Sequence, residues 1–349
     1  MAAGKGPSRG NLTFVGSANM ATWRTAMDHA LYGEGGFYRR ERPATHFRTS
    51  VHASARYADA FARVLISVDE ALGSPPRLDL VDIGAGCGSL LAKIRSAVPA
   101  ELAVRLAPTA VEVSARPAEL PAEIGWLPEP PEEITGLVVA NEWLDNVPLD
   151  VVELTPSGPR LVLVDPRTGA ERPGSPPAAE DGEWLDRWWP LLEPGDRAEV
   201  GSTRCAAWAS VISRLRRGLA VAVDYSHLRS GRPAYGTLTG YRDGHVVPAI
   251  PDGSCDVTAH VALDACASSG LDAGATASVL TTQRAALRAL GLTGVRPSIE
   301  LAGRAPRDYV AALCAAGEEA ELIDPAGLGG FGWLVQSVGL PIPSSLLPP

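Results

Sequence analysis

Lysine is almost missing from this 349-residue chain. Lys5 and Lys93 are the only two, and arginine supplies the remaining positive charge. With a net charge of −9 there is no basic stripe to track phosphates, which excludes general nucleic-acid binding. Cysteine is sparse and scattered. Cys87, Cys205, Cys255, Cys266 and Cys314 are odd in number and none forms a CxxC pair, so neither a disulfide framework nor a metal site is expected. A reduced, cytoplasmic compartment fits that usage. No apolar run reaches the ~18 residues of a membrane span. Acidic residues are missing from the start, the first being Asp28. An acid-poor lead resembles a transit peptide, but few basic residues accompany it, so it reads as a flexible start.

What is present belongs to a globular protein: 46% of residues are hydrophobic and 20% charged. The length suggests one large domain with additions, or two domains. "NMATWRTAMDHALYG" (Asn19 to Gly33) reads as a short helix stopped by glycine. "VHASARYADAFARVLISVDEALG" (Val51 to Gly73) reads as a long amphipathic helix, with Ala58, Phe61, Val64, Leu65 and Val68 at helical spacing. Strands are then expected over Leu78 to Ile83, Thr109 to Ser114, Ile124 to Leu127, Gly136 to Glu142 and Gly218 to Ser226. Continuous apolar strands alternating with helices predict an α/β fold with a mostly parallel, doubly wound sheet. About seventy residues separate the fourth and fifth strands, more than a crossover needs. They begin with a hairpin pattern and hold the Trp-rich "EWLDRWWPLL". "TASVLTTQRAALRALG" is expected as a helix, "GFGWLVQSVG" as a late strand, and "LPIPSSLLPP" as an extended or disordered arm. This divides the chain into an N-terminal helical segment (1–74), a core (75–339) with a cap insertion at about 151–205, and a Pro-rich tail (340–349).

The densest local signal is "VDIGAGCGSL", in which Gly84, Gly86 and Gly88 follow a strand and open a helix. Such a turn brings backbone close to a ligand. The spacing fails both GxGxxG and the Walker pattern. A nucleoside-containing ligand without an essential pyrophosphate therefore fits better than NAD. Asp82 precedes the first glycine, where a carboxylate can orient a ligand's ammonium. Glu112, 24 residues beyond Gly88, is placed like the acid that accepts both ribose hydroxyls at the next strand end.

These residues resemble a class I S-adenosylmethionine (SAM) methyltransferase, and more narrowly the MidA family (the DUF185 group), which includes the mitochondrial complex I assembly methyltransferase. "MDHALYGEGGFY" is similar to the family's "M..aLy.p..GYY", and "HFRTSVHASARYADAFA" stands where it has "DF.TAPEIS..FGELLA". "VDIGAGCGSL" matches "E.GPG.G.L", "VVANEWLDNVP" matches "iiaNEffDAlP", and "AVAVDYS" resembles "aliiDYG". "CDVTAHVAL" is similar to "DlTahVdf", and "TTQRAALRALGL" to "tQ..fLl.lGi". The match runs roughly from residue 24 to 339. His46 and His52 replace acidic residues of the family, and Ala85 replaces its GPG proline.

The resemblance implies a Rossmann-like methyltransferase fold with N-terminal helices and an insertion between strands four and five. It implies SAM as cofactor, held by Asp82, Gly84, Gly86, Gly88, Glu112 and Asn141, with Thr49, Ser50 and His52 closing from the N-terminal side. Ligands of open α/β sheets bind outside the carboxyl ends of the strands, where "NEWLD" falls. There Glu142 could grip a guanidinium or amine, and Asn141 could donate or accept. Asp145 is either a second carboxylate or the N-cap of a turn. Asp224 and Tyr225 end the fifth strand by the same logic. His260, in "DVTAHV", is a candidate acid or base. Trp184, Trp188 and Trp189 are more consistent with packing of the insertion than with a substrate wall, and Cys87 with a small apolar filler. The implied activity is methylation of an arginine nitrogen in a protein or peptide. A small-molecule O- or N-methyltransferase and a SAM-binding assembly factor are the alternatives, with an NAD-dependent reductase a weak third. A homodimer is left open; nucleic acid and membrane are not expected partners.

Overall fold

The structure, a computed structural model, describes residues 20–40 and 49–347, apart from the His52 side chain. The expected flexible lead, His46 and the final two prolines lie outside the described residues. Seven strands form the central sheet: β1 (Leu78–Ile83), β2 (Leu106–Val111), β3 (Gly125–Leu127), β4 (Ile134–Asn141), β5 (Leu215–Asp224), β6 (Ala277–Thr282) and β7 (Gly332–Val338). Their spatial order is β3-β2-β1-β4-β5-β7-β6. All neighbours are parallel except at β7, which runs antiparallel to both β5 and β6.

Strand residues alternate between two cores, which is why the strands read as unbroken apolar runs. Leu80, Leu137, Val139, Leu219, Val221, Trp333 and Val335 face one cluster. Helices α2 (Ala55–Ala71) and α3 (Ser89–Ala97) cover that side. Val81, Val138, Ala140, Ala220, Ala222 and Leu334 face the other, under α4 (Ser202–Arg214) and the helix Leu263–Asp272. The reversal of strand order at β1 and β4 leaves a crevice at their carboxyl ends, where such folds bind ligands.

A second, smaller sheet pairs Asp150–Thr155 with Gly158–Val164 and Arg197–Val200, and takes in Ala21–Thr22 from the N-terminal region. Helix α1 (Trp23–Tyr32) packs Trp23, Met27 and Leu31 against Val151, Val162 and Val164 of this sheet, in a third core. The N-terminal region is thereby joined to the segment between β4 and β5.

Four expectations change. The long N-terminal helix is broken at Ser54, which is extended (φ −159, ψ 148) and caps α2 through Arg56 N. The second strand is shifted toward Leu106, because Glu112 leaves the β1 ladder at Val111. The first half of "TASVLTTQRAALRALG" is not helix but edge strand β6, its register set by β7. Its β-branched Val279, Thr281 and Thr282 suit that pleat, and the helix starts only where the Thr282 side chain accepts Ala285 N. The tail folds back: Ile342 and Leu346 are buried in the first core.

Gly136 pairs with Gly218 on β5 and Asp79 on β1. At φ +150 a Cβ on Gly136 would stand 2.0 Å from the Asp79 carbonyl oxygen, so backbone would have to move. Gly136→Ala should therefore lower the urea midpoint by an amount worth about 3 kcal/mol or more. Gly182→Ala, in open helical space, should raise it by about 0.5–1 kcal/mol. Paired denaturation curves check both.

Candidate active site

The three glycines all adopt positive φ: +70 at Gly84, +57 at Gly86 and +74 at Gly88. Packing demands two of them as well. A Cβ on Gly84 would lie 2.9 Å from the Trp143 side chain, and one on Gly88 2.8 Å from Leu120. A Cβ on Gly86 would meet no protein atom within 4 Å. Gly86 lines a cleft of about 650 Å³, so its bare backbone faces space left for a ligand. The loop is anchored by Gly84 N and Ala85 N donating to Val111 O, and by Gly86 N donating to Glu112 Oε2 at 2.9 Å. Ser114 N donates to the other Glu112 oxygen at 3.0 Å. Two backbone donors thus fix the carboxylate, and each oxygen keeps a lone pair for a hydroxyl. Asp82, 3% exposed, is pushed up to about 8, first by burial and then by the charge of Glu112 and Cys87.

β4 delivers Asn141 and Glu142 to the same cleft. Glu142 adopts φ +53, one of three non-glycine residues at positive φ among those described. Its Oε1 accepts Asn141 Nδ2 at 3.0 Å and Ser50 N at 3.3 Å. Asn141 Oδ1 in turn accepts the Tyr57 hydroxyl at 2.5 Å. Burial foremost, then the charge of Asp145, pushes Glu142 up to about 8, against the pull of the Asn141 and Ser50 donors. No lysine or arginine among the described residues forms an ion pair with Glu142.

The other expected site residues divide. Thr49 lines the cleft, whereas Ser50 reaches it only through its N–H. Asp145 and His260 are not among the lining residues. Asp145 is buried, accepting Thr258 Oγ1 and Asn146 Nδ2, both at 2.9 Å. Burial pushes it upward, against the Arg204 guanidinium. Asp224, fully buried, accepts Leu144 N at 2.9 Å, and burial together with the Asp145 charge holds it well above the carboxylate range. The exposed His260 stacks on Tyr225, ring centroids 5.7 Å apart. Trp184 and Trp189 are buried in the second core with Trp188 packed beside them, and Cys87 lines the cleft.

Several lining residues had no role in the sequence reading: Tyr32, Tyr38, Arg39, Trp143 and Asn146. The motif "LYGEGGFYRR" held the signal for the first three, since stacked tyrosines beside arginines (Tyr32–Tyr38, 5.6 Å) are unusual for a plain capping helix. Among the described residues no cluster of His, Cys, Asp or Glu is placed to hold a metal ion, and no helix is long and apolar enough to cross a membrane.

A family model for S-adenosyl-L-methionine-dependent methyltransferases, Methyltransf_28, matches residues 60–281. The chain belongs to the Methyltransf_28 family. It is thus a methyltransferase enzyme with S-adenosyl-L-methionine as cofactor, on a Rossmann-like fold. Among solved structures it is similar to a COG1565 superfamily member from Burkholderia thailandensis bound to S-adenosyl-homocysteine. The identity is 27%, the TM-score 0.77, and the match covers 93% of this chain and 89% of that one. A native COG1565 superfamily structure from the same organism gives 28% identity and a TM-score of 0.76, covering 93% and 88%. No curated protein matches the chain.

The loop fits this Methyltransf_28 cofactor. Bare backbone at Gly86, the carboxylate at Glu112 and a buried acid at Asp82 suit a nucleoside carrying a positively charged amino-acid arm. Gly86→Val should abolish SAM binding in calorimetry while the melting temperature falls only by what strain at one position costs, about 1–2 kcal/mol.

A bound cation favours the Asp82 carboxylate, whereas the free protein holds its proton up to about pH 8. Binding at pH 7 should therefore release a proton, and affinity should rise by up to about tenfold per pH unit toward pH 8. Calorimetry in buffers of different ionisation enthalpy reads the proton directly. Asp82→Asn should remove its share.

Proposed function

We propose that this methyltransferase acts on an arginine nitrogen of a protein or peptide, as a member of the MidA group. The observation that carries the reading is Glu142: a half-buried carboxyl, turned into the cleft by an unusual backbone conformation and pushed up to about 8. SAM, when bound, supplies an electrophilic methyl group on a sulfonium. The chain's own residues do the rest. Asp82, Glu112, Asn141 and Glu142 all line the one cleft. A guanidinium entering the cleft finds a carboxyl able to accept its N–H groups, which fixes the nitrogen's approach. A group pushed to about 8 is also matched to take up the proton that the methylated nitrogen sheds.

Labelled SAM, incubated with a cognate lysate and an arginine-containing peptide library, tests this. The expected outcome is methylarginine in the acid hydrolysate of labelled protein. Label confined to small molecules would replace the reading with a small-molecule acceptor. The stacked Tyr32–Tyr38 pair in the cleft wall favours that alternative, since it offers a surface for a flat ring. Glu142→Gln should lower transfer by about 10²–10⁴-fold and leave SAM affinity within a few-fold, measured by single-turnover assay and calorimetry.

A further inference from the structure

Behind Glu142 lies a set of buried polar groups. The Trp333 indole, which can only donate, gives its N–H to Gln283 Oε1 at 3.4 Å. Gln283 Nε2 donates to Leu322 O and to Ser50 Oγ, both at 3.1 Å. The Gln283 amide therefore has one allowed orientation. Ser50 N donates to Glu142 Oε1 at 3.3 Å, and the Tyr57 hydroxyl donates to Asn141 Oδ1. That leaves Asn141 Nδ2 for Glu142.

The Tyr57 ring is held independently of its hydroxyl. It is fully buried, edge-on to Phe61 at 5.1 Å and to Trp333 at 6.5 Å.

We propose that Tyr57 is a positioning residue for Glu142. By donating to Asn141 Oδ1 it keeps the Asn141 amino group turned toward Glu142 Oε1, and so holds the carboxyl ready to accept from a ligand. The proposal rests on the reading of Glu142 as the group that engages the methyl acceptor. The titratable groups facing this cluster are acids and phenols. Asp145 and Asp256 act on Glu142, Asp82 and Asp224 act on Tyr57, and Glu142 itself acts on Tyr225. Each disfavours the carboxylate or phenolate beside it, which leaves the Asn141 and Ser50 donors as the groups that oppose protonation of Glu142.

Tyr57→Phe keeps the ring and removes the donor. Asn141 can then turn its carbonyl to Glu142, which favours the protonated acid. The Glu142 midpoint should move up from about 8 by about one pH unit. Difference infrared titration of the carboxyl band, assigned with Glu142→Gln, reads this without any methyl acceptor. Phe61→Leu loosens the same packing without touching the hydroxyl, and should lower the melting temperature while leaving the midpoint in place. A midpoint unmoved in Tyr57→Phe overturns the proposal, as does an equal shift in both variants. Failure to find methylarginine would sink the substrate assignment alone, because the titration decides Tyr57 separately.

Discussion

At 1% exposure, the Arg204 guanidinium donates to the carbonyl oxygens of Asp145, Val147, Ala259 and His260. Two of these lie in the turn after β4 and two in the segment after Thr258, so one side chain of α4 ties together loops that share no secondary structure. Among the described residues it is the only cation buried to this degree. A lone buried guanidinium is costly unless paired and hydrogen-bonded. Four carbonyl acceptors offset that cost. The turn that carries Glu142, Trp143 and Asn146 to the cleft takes its shape from this clamp.

The acids around the clamp outnumber it. Asp82, Asp145, Asp224 and Asp256 are each at most 4% exposed, and Glu142 stands among them. Burial pushes all five upward, joined at Glu142, Asp224 and Asp256 by the charge of Asp145. An acid raised in the folded state binds protons that the unfolded chain has already lost, so Asp82, Glu142 and Asp256 subtract stability as pH rises from about 4 to about 8. A cation in the cleft reverses that loss at the carboxyl it meets. The same arrangement that destabilises the empty protein makes the cleft receptive to positive charge, at Asp82 and at Glu142.

What the residues disclosed before folding was local. The glycine turn and the acid at the next strand end are short-range patterns tied to one backbone geometry, and Gly84, Gly86 and Gly88 adopt it. "NEWLD" announced its position by ending an apolar run. Asp145 looked equivalent to Glu142, three residues apart, yet only Glu142 has the φ that turns it into the cleft. Arg204 and Tyr57 were not legible, because their partners are 59 and 84 residues away and nothing in α4 or α2 marks them among similar residues. β6 read as helix because its apolar spacing allowed either period, and only pairing with β7 decides it.

Glu142 shows how the local and the distant parts fit. A non-glycine residue at φ +53 carries a strain of about 1 kcal/mol or more. Its own N–H, donated to Val223 O at 2.8 Å, prolongs the β4–β5 ladder one residue beyond Asn141, so the strain falls after the last ladder bond rather than within it. The left-handed turn then swings Trp143 over the glycine loop, and the ring fills the space that any Cβ on Gly84 would need. Glycine at position 142 would relieve the strain but remove the carboxyl. Glycine at 84 is required because the strain is kept. The two motifs, far apart in the chain, are therefore one fitted surface, with the glycine loop on one side and the Glu142 turn on the other.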